Sequence, residues 1–468
     1  MYHRRLIMNF SIIVAIDKNN GIGKDGQLPW SCSEDLKHFK RVTLDSFVIM
    51  GRKTWESIPN KVKPLPRRIN IVLSKTIDYH CACGVKVLSS LESALGYCKR
   101  SNEENGQDKN IFIMGGGQLY KEALDHPDCR KIYQSRINGD YNCDTFFKFG
   151  SEWKNVYSKK VNDKLTIEEY YKGSSHLEYN YLNLIKKILK NGEPKPDRTG
   201  TGTLSLFGEK MEFSLENNTL PILTTKRVPF KMVLDELIWF ISGNTNAKTL
   251  QDKKIHIWDG NSSREYLDSI GLPERKEGDL GPVYGFQWRF FSAEYVDCHT
   301  DYKGKGVDQL QWVIDEIKSN PSSRRIFMSS WNPKDLKLMA LPPCHLSIQF
   351  NVGFSNNEPT FLDSCLYQRS ADVGLGVPFN ITSYSILTIM IARLTGLKPR
   401  KFVHVMGDTH IYKDHIPQLE TQVLKIPFEF PTLRVSDRVI KDIDDFKSED
   451  FKLVGYKSSK RLKMKMSV

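Results

Sequence analysis

The sequence predicts two consecutive domains, the first an α/β domain with a largely parallel sheet, the second built on a different pattern of long helices and alternating strands. Three observations carry this reading. The chain has 468 residues, more than one hydrophobic core usually organises. Over its first third, short apolar strands alternate with helical stretches, as in a sheet covered by helices on both faces. Past residue 172 the punctuation changes and longer apolar helices begin.

In the first region Phe10–Ile16 is a compact apolar strand, followed by strand patterns at 47–50, Ile69–Leu73 and 110–114. A helix starts near Ser33, and Asp35 and Phe39 share one of its faces. A carboxylate on an apolar face beside Leu36 and Phe39 must be paired or protonated to be buried; the plainer reading is a solvated acid at the positive end of the helix. Lys172-Gly173-Ser174-Ser175 reads as a breaker, giving domains at 1–172 and 179–468 joined by a linker over 173–178. In the second region Leu182, Ile185, Ile188 and Leu189 recur at helical spacing until Asn191-Gly192. Phe230–Ile241 is a mostly apolar helix ending at Gly243. Residues 345–352 alternate, with Leu346, Ile348, Phe350 and Val352 on one face. Cys344 has the same parity, so its thiol is expected to point with that buried face. An apolar helix over 386–394 closes at Gly396, and the Lys/Asp/Ser-rich stretch 441–450 reads as a solvated loop.

Hydrophobic residues at 40% and aromatic residues at 11% fit a soluble globular chain. No uninterrupted apolar run approaches the roughly 20 residues of a membrane helix. The basic start Met1-Tyr2-His3-Arg4-Arg5 runs into a strand pattern containing Asn9 and Ser11, so a signal peptide is not expected. Nine cysteines form no disulfide-like framework, and Cys81-Ala82-Cys83 lacks a second pair at zinc spacing. Reduced thiols in the cytoplasm are the expectation. His404, His410 and His415 have spacings that suit no metal-binding helix, so no metal is expected. The net charge of +13 would draw small polyanions as readily as nucleic acid. Without a Lys/Arg run interleaved with aromatics, an obligatory nucleic-acid partner is the weaker reading; an additional RNA-binding role is the non-enzymatic alternative.

Gly21-Ile22-Gly23, Leu28-Pro29-Trp30, Gly51-Arg52-Lys53-Thr54-Trp55-Glu56-Ser57-Ile58-Pro59, Pro64-Leu65-Pro66 and Gly115-Gly116-Gly117 occur in an order that resembles dihydrofolate reductase over residues 9–172. A glycine-rich turn between a strand and a helix can bring backbone N–H groups against a pyrophosphate. The resemblance implies NADPH held by Ala15, Ile22, Gly23, Arg52, Lys53, Thr54, Ser74, Gly115, Gly116, Gly117, Gln118 and Tyr120. It implies dihydrofolate bound by Ile13, Val14, Asp35, Phe39, Arg68 and Ser135. Asp35 would help deliver a proton, a task suited by a raised pKa, and Arg68 would grip the folate α-carboxylate. Ser135 stands where the family commonly has Thr, and Leu28 where some relatives have Met.

From about residue 176 onward, Asp197-Arg198-Thr199-Gly200-Thr201-Gly202, Arg324-Arg325, Leu341-Pro342-Pro343-Cys344-His345, Gln368-Arg369-Ser370-Ala371-Asp372, Val377-Pro378-Phe379-Asn380 and Gly407-Asp408-Thr409-His410-Ile411-Tyr412 resemble thymidylate synthase in order and wording. A lone cysteine is most often a buried core residue; its company makes Cys344 a candidate nucleophile, whose thiolate a nearby guanidinium would favour. The resemblance implies an α+β fold and conjugate addition of Cys344 to dUMP, with Glu236 organising proton transfers. It implies dUMP contacts from Arg198, Arg324, Arg325, Gln368, Arg369, Ser370, Asp372, Asn380, His410 and Tyr412. Trp258, Asn261 and Asp372 would hold 5,10-methylenetetrahydrofolate. Arg324 and Arg325 would come from the partner of a homodimer joined through this domain. Departures are Phe290-Phe291-Ser292 and Ser458-Ser459; Met464-Lys465-Met466-Ser467-Val468 keeps an ending that closes over the site. A pyrimidine hydroxymethylase is the enzymatic alternative, disfavoured by Asn380 because a cytosine edge would favour an acid there. The two implied reactions are consecutive.

Overall fold

The computed structural model describes residues 9–75, 84–173, 176–197 and 200–466. The basic start, Cys81-Ala82-Cys83, Ser174-Ser175, Arg198-Thr199 and Ser467-Val468 lie outside them. The chain forms two compact units, one of Met1–Tyr179 with Leu424–Ile426, the other of Asn180–Val423 with Pro427–Val468.

The first unit is organised by an eight-stranded sheet in the order Val85–Leu88, Ile69–Leu73, Phe47–Gly51, Ile111–Ile113, Phe10–Ile16, Cys129–Ile137, Leu165–Lys172, Trp153–Asn162. The first six strands pair in parallel and the last two antiparallel. Buried on both faces, the central strands must be apolar throughout, and Phe47, Val48, Ile49 and Met50 are all fully buried. The helix Ser33–Thr43 turns Asp35, His38 and Val42 inward. Leu36 does not share that face: it is 57% exposed, because one residue along a helix rotates the side chain by about 100°. Gly51, Ser74 and Gly115 lie at or within two residues of the carboxyl ends of adjacent parallel strands, where open α/β sheets bind ligands.

The second unit holds a six-stranded sheet in the order Glu193–Lys195, Thr203–Ser214, Lys398–Tyr412, Glu358–Asp372, His345–Ser355, Phe327–Ser329. Only Glu358–Asp372 and Lys398–Tyr412 pair in parallel, and the helix Gly376–Thr395 makes the crossover that a parallel pair requires. Gly396 ends that helix at φ +70°, a conformation that favours glycine. By length and mean hydropathy this helix is apolar enough to cross a membrane, although polar residues interrupt its apolar run, and 78% of the apolar window is buried inside the structure. Its first half escaped the apolar pattern because it carries Asn380, Thr382, Ser383 and Ser385. Thr382 donates to the Pro378 carbonyl and so stays buried without cost to the helix.

The structure departs from the sequence pattern at two further places. The stretch 441–450 is not a solvated loop: Ile443 and Asp450 are buried. Arg438 grips Asp450 through two hydrogen bonds of 2.7 Å, and Arg289 holds Asp444 at 2.6 and 2.8 Å. The parity argument for Cys344 also fails. The pairing register shifts between His345 and Ser347, so His345 is buried along with Ile348, Phe350 and Val352. Cys344 lies in the bend just before that irregularity, half-buried.

Candidate active sites

In the first unit, Asp35 is buried on the inner face of its helix. Burial raises its carboxyl above the ordinary range, and a hydrogen bond from Ser135 opposes the rise. Phe39, one turn on, lies 5.7 Å below the Arg68 guanidinium. Arg68 also donates to the Pro66 carbonyl at 3.1 Å and to Thr43 at 3.3 Å, which fixes the fork while leaving part of it available for a carboxylate. Tyr120 donates to the Ile13 carbonyl at 2.8 Å, bringing a cofactor candidate and a folate candidate together. Burial, then the charge of Asp35, raises the Tyr120 hydroxyl. Val14 is buried beside Ile13, and Ala15 continues the strand.

The residues fit a dinucleotide phosphate. The Gly51 N–H donates to the Gly115 carbonyl at 2.7 Å, so two glycine-bearing turns meet. The helix Gly117–Asp125 has no side-chain cap at Gly116, which leaves its first N–H groups open to an anion. A Cβ on Gly116 would come within 3.2 Å of the Thr54 hydroxyl, and one on Gly117 within 2.9 Å of Thr145. Arg52 and Lys53 are exposed at the start of the helix Arg52–Ser57. Ser74, beyond its strand, is tied by its N–H to the Leu88 carbonyl, and Gln118 is exposed beside the uncapped turn.

Asp17 and Asp144, which position the Gly21-Ile22-Gly23 segment, are absent from the residues singled out in the sequence. Buried Asp17 accepts from the N–H groups of Asn19 and Gly21, both at 2.8 Å, and from Tyr141 at 3.3 Å. The Asp144 N–H reaches the Gly23 carbonyl at 3.0 Å. The Asp-x-Asn-Asn-Gly wording at residue 17 is the turn signal that could have found the first of these.

In the second unit, Cys344 is held from three sides. Its N–H donates to the Tyr284 hydroxyl at 2.9 Å. Its carbonyl accepts from the Arg369 N–H at 2.8 Å. The Arg369 side chain donates to the carbonyls of Pro343 and Pro342, both at 2.9 Å, and its guanidinium lies 5.4 Å over the Trp331 ring. The cation, carried on the strand Glu358–Asp372, is thus hydrogen-bonded to the loop that carries the thiol. Gln368 is buried next to it, donating to the Ser370 carbonyl at 2.9 Å and bonded through its oxygen to His404 at 2.8 Å. Burial pushes the His404 imidazole down to about 3, so His404 is a neutral donor there.

Glu236 receives the Trp258 indole N–H at 2.9 Å. Burial pushes its carboxyl up to about 7, against that hydrogen bond. Asn261 is buried three residues beyond Trp258. Ser370 and Asp372 lie opposite Asp408 and His410 on the parallel neighbour, and the His410 ring meets Asp408 at 2.9 Å and Tyr412 at 5.3 Å between centroids. Asp372 accepts from the Gly374 N–H at 2.8 Å; burial opposes its charge, but His415, His410 and that N–H hold it below its usual value. Asn380 and Asp372 both flank Gly376. Tyr284, Trp331 and Asp408 were missed, since nothing in their spacing distinguishes them from core residues.

Arg324 and Arg325 are not brought to Cys344 within one chain. The Arg324 carbonyl accepts from Gln349 at 3.1 Å, five residues along the strand from Cys344, or about 16 Å, and both arginines are exposed.

A buried acid in a unit whose glycine-bearing turns suit a phosphate fits a dinucleotide-dependent reductase, and a cysteine bonded to an arginine fits a nucleophilic transferase. The dihydrofolate reductase family model matches 9–172 and the thymidylate synthase family model matches 179–468. A bifunctional dihydrofolate reductase-thymidylate synthase of Zea mays is 48% identical, covering 98% of this chain and 97% of its own. A namesake from Paramecium tetraurelia is 44% identical, covering 98% and 99%, and one from Leishmania amazonensis is 43% identical, covering 98% and 95%. The chain belongs to the bifunctional dihydrofolate reductase–thymidylate synthase family.

Proposed function

We propose the following division of labour between the two activities of this enzyme. In the synthase half, the Cys344 thiolate adds to the uracil ring of dUMP beside the carbon to be methylated, and the ring becomes an enolate. Methylenetetrahydrofolate supplies both the carbon and the hydride and leaves as dihydrofolate. Arg369 steadies the thiolate and, with Arg198 and Ser370, grips the phosphate. Glu236, poised near neutrality, moves protons to and from the ring; Asn380 and Gln368 read its edge; His410 and Tyr412 take the ribose hydroxyl. Trp258, Asn261 and Asp372 orient the folate. The observation that carries this reading is the double hydrogen bond from Arg369 to the carbonyls of Pro342 and Pro343.

In the reductase half, dihydrofolate lies against Ile13, Val14 and Phe39, with Arg68 on its α-carboxylate. NADPH supplies the hydride when bound. Asp35, kept protonated by burial, holds the pterin edge and helps pass the proton, and Ser135 fixes its orientation. We place the domain boundary at 172 and the linker over 173–178, supported by family matches that end at 172 and begin at 179.

We also propose a homodimer through the synthase sheet. Phe327, Gln349 and Cys365 lie opposite one another across three strands, and Tyr367 follows on the same face. Phe327 and Tyr367 are 45% and 39% exposed, an apolar face that a second copy would cover. Arg324 and Arg325 lead into that edge strand and would complete the partner's phosphate site. A reducing, cytoplasmic location is supported by the thiols of Cys98 and Cys129, buried in the first unit outside any disulfide. No nucleic acid is required for either reaction. The test is a paired assay on one purified sample: dTMP formation from dUMP, then NADPH oxidation by dihydrofolate. Both activities are expected, and absence of either from folded protein would overturn its half of the assignment.

A further inference from the structure

His415 is fully buried, yet both of its ring nitrogens face oxygen acceptors. Nε2 meets the Lys465 carbonyl in the C-terminal segment at 2.7 Å. Since a carbonyl only accepts, Nε2 carries a proton. Nδ1 has no hydrogen-bond partner among the described residues and faces the Asp372 carboxylate at 3.8 Å. A neutral ring would aim a lone pair at that carboxylate; an imidazolium satisfies both sides.

A second, independent feature converges on the same point. A Cβ on Gly374 would lie 2.5 Å from His415 Nδ1, 3.2 Å from an Asp372 oxygen and 3.2 Å from the Met464 sulfur. Tail, imidazole and carboxylate therefore meet over one glycine. The other groups around the ring are Asp414, at 3.8 Å from Nε2, and the Tyr412 ring at 5.5 Å between centroids; His410 faces Asp372 from the neighbouring strand.

We propose that His415 is a positioning residue of the synthase reaction, a charged clasp that holds the C-terminal segment against the Asp372 end of the cleft. The proposal rests on the synthase assignment above. Burial disfavours the charged ring, but Asp372, the Lys465 carbonyl and Asp414 outweigh it and raise its pKa. The clasp is therefore complete at low pH and loosened as pH rises through that raised value, when Nδ1 loses its proton and its attraction to Asp372 while Nε2–H still reaches Lys465.

The test uses the full-length enzyme, His415→Ala and His415→Gln. Wild type must first form dTMP; if it does not, the synthase assignment fails and not the clasp. Given activity, His415→Ala should raise the KM for methylenetetrahydrofolate about tenfold, the scale of one lost charge-assisted hydrogen bond, while dUMP affinity and dihydrofolate reduction stay within about twofold. His415→Gln, which keeps a donor for Lys465 but no charge, should recover much of the KM and lose the alkaline limb of the wild-type profile. Unchanged KM and pH profile in both variants would overturn the proposal. If the variants do not fold, wild type alone decides. Trypsin cleavage after Lys463 and Lys465, in the presence of dUMP and a folate analogue and normalised to a free peptide of the tail, should quicken from pH 6 to 8.5. A constant normalised rate would overturn it.

Discussion

Arg369 hydrogen-bonds the two carbonyls that precede Cys344, so under the proposed mechanism the charge that would favour a thiolate moves with the backbone that carries the sulfur. Cys344→Ala should therefore abolish dTMP formation, by at least about 10⁴-fold as for other lost nucleophiles, and leave NADPH oxidation by dihydrofolate within about twofold. Asp35→Asn should do the reverse, and loss of both activities in a folded single variant would refute separate sites. Glu236 makes a prediction of opposite sign for activity and stability. Its folded pKa of about 7 exceeds its ordinary value, so the native state binds the proton more tightly than the unfolded chain. Its contribution is fully present below the ordinary carboxyl pKa and is lost as pH climbs through 7. Glu236→Gln removes that loss, since its oxygen still accepts from Trp258. At pH 8 the variant should be more stable, by up to roughly 3 kcal/mol, while dTMP formation falls sharply. Thermal melts at pH 5 and pH 8 check this, because the gain should shrink to about 1 kcal/mol or less at the lower pH.

At the scale of elements, legibility followed solvent exposure. The helix Phe230–Ile241 and the strands Phe10–Ile16 and Ile69–Leu73 are bounded as their apolar patterns indicate, since a sharp change of polarity marks each end. The helix Gly376–Thr395 was read at half its length because its buried Thr and Ser side chains bond to its own carbonyls, as Thr388 does to Tyr384 at 2.7 Å. Polarity at such positions says nothing about exposure. The uncapped helix Gly117–Asp125 offers a direct test. Gly117→Val adds a Cβ against Thr145 and crowds the N–H groups that would face a phosphate. NADPH affinity, followed by protein fluorescence, should fall at least about tenfold, consistent with losing one charge-assisted contact, while dTMP formation is unaffected. Unchanged affinity would move the phosphate site elsewhere.

At the scale of the whole molecule, one chain leaves Arg324 and Arg325 distant from its own Cys344 and exposes an apolar sheet face beside them. A Cys344→Ala variant mixed with an Arg324→Ala, Arg325→Ala variant should regain activity that neither has alone. Random exchange of subunits makes half the dimers mixed with one intact site each, so recovery of about a quarter of wild-type activity is expected. No recovery after subunit exchange would place both arginines outside the partner's site.

The order of motifs by itself determined that two enzymes lie in one chain, the reductase first and the synthase second. Those facts are local: short runs of residues with fixed wording encode turns, caps and reactive groups within a few positions. Only the tertiary structure decided that a register shift redirects Cys344, that Arg369 is bonded to the cysteine's own loop, and that His415 joins the tail to Asp372. Each of these depends on strands and segments far apart in sequence meeting at hydrogen-bond distance, and no spacing along the chain records which partners will meet.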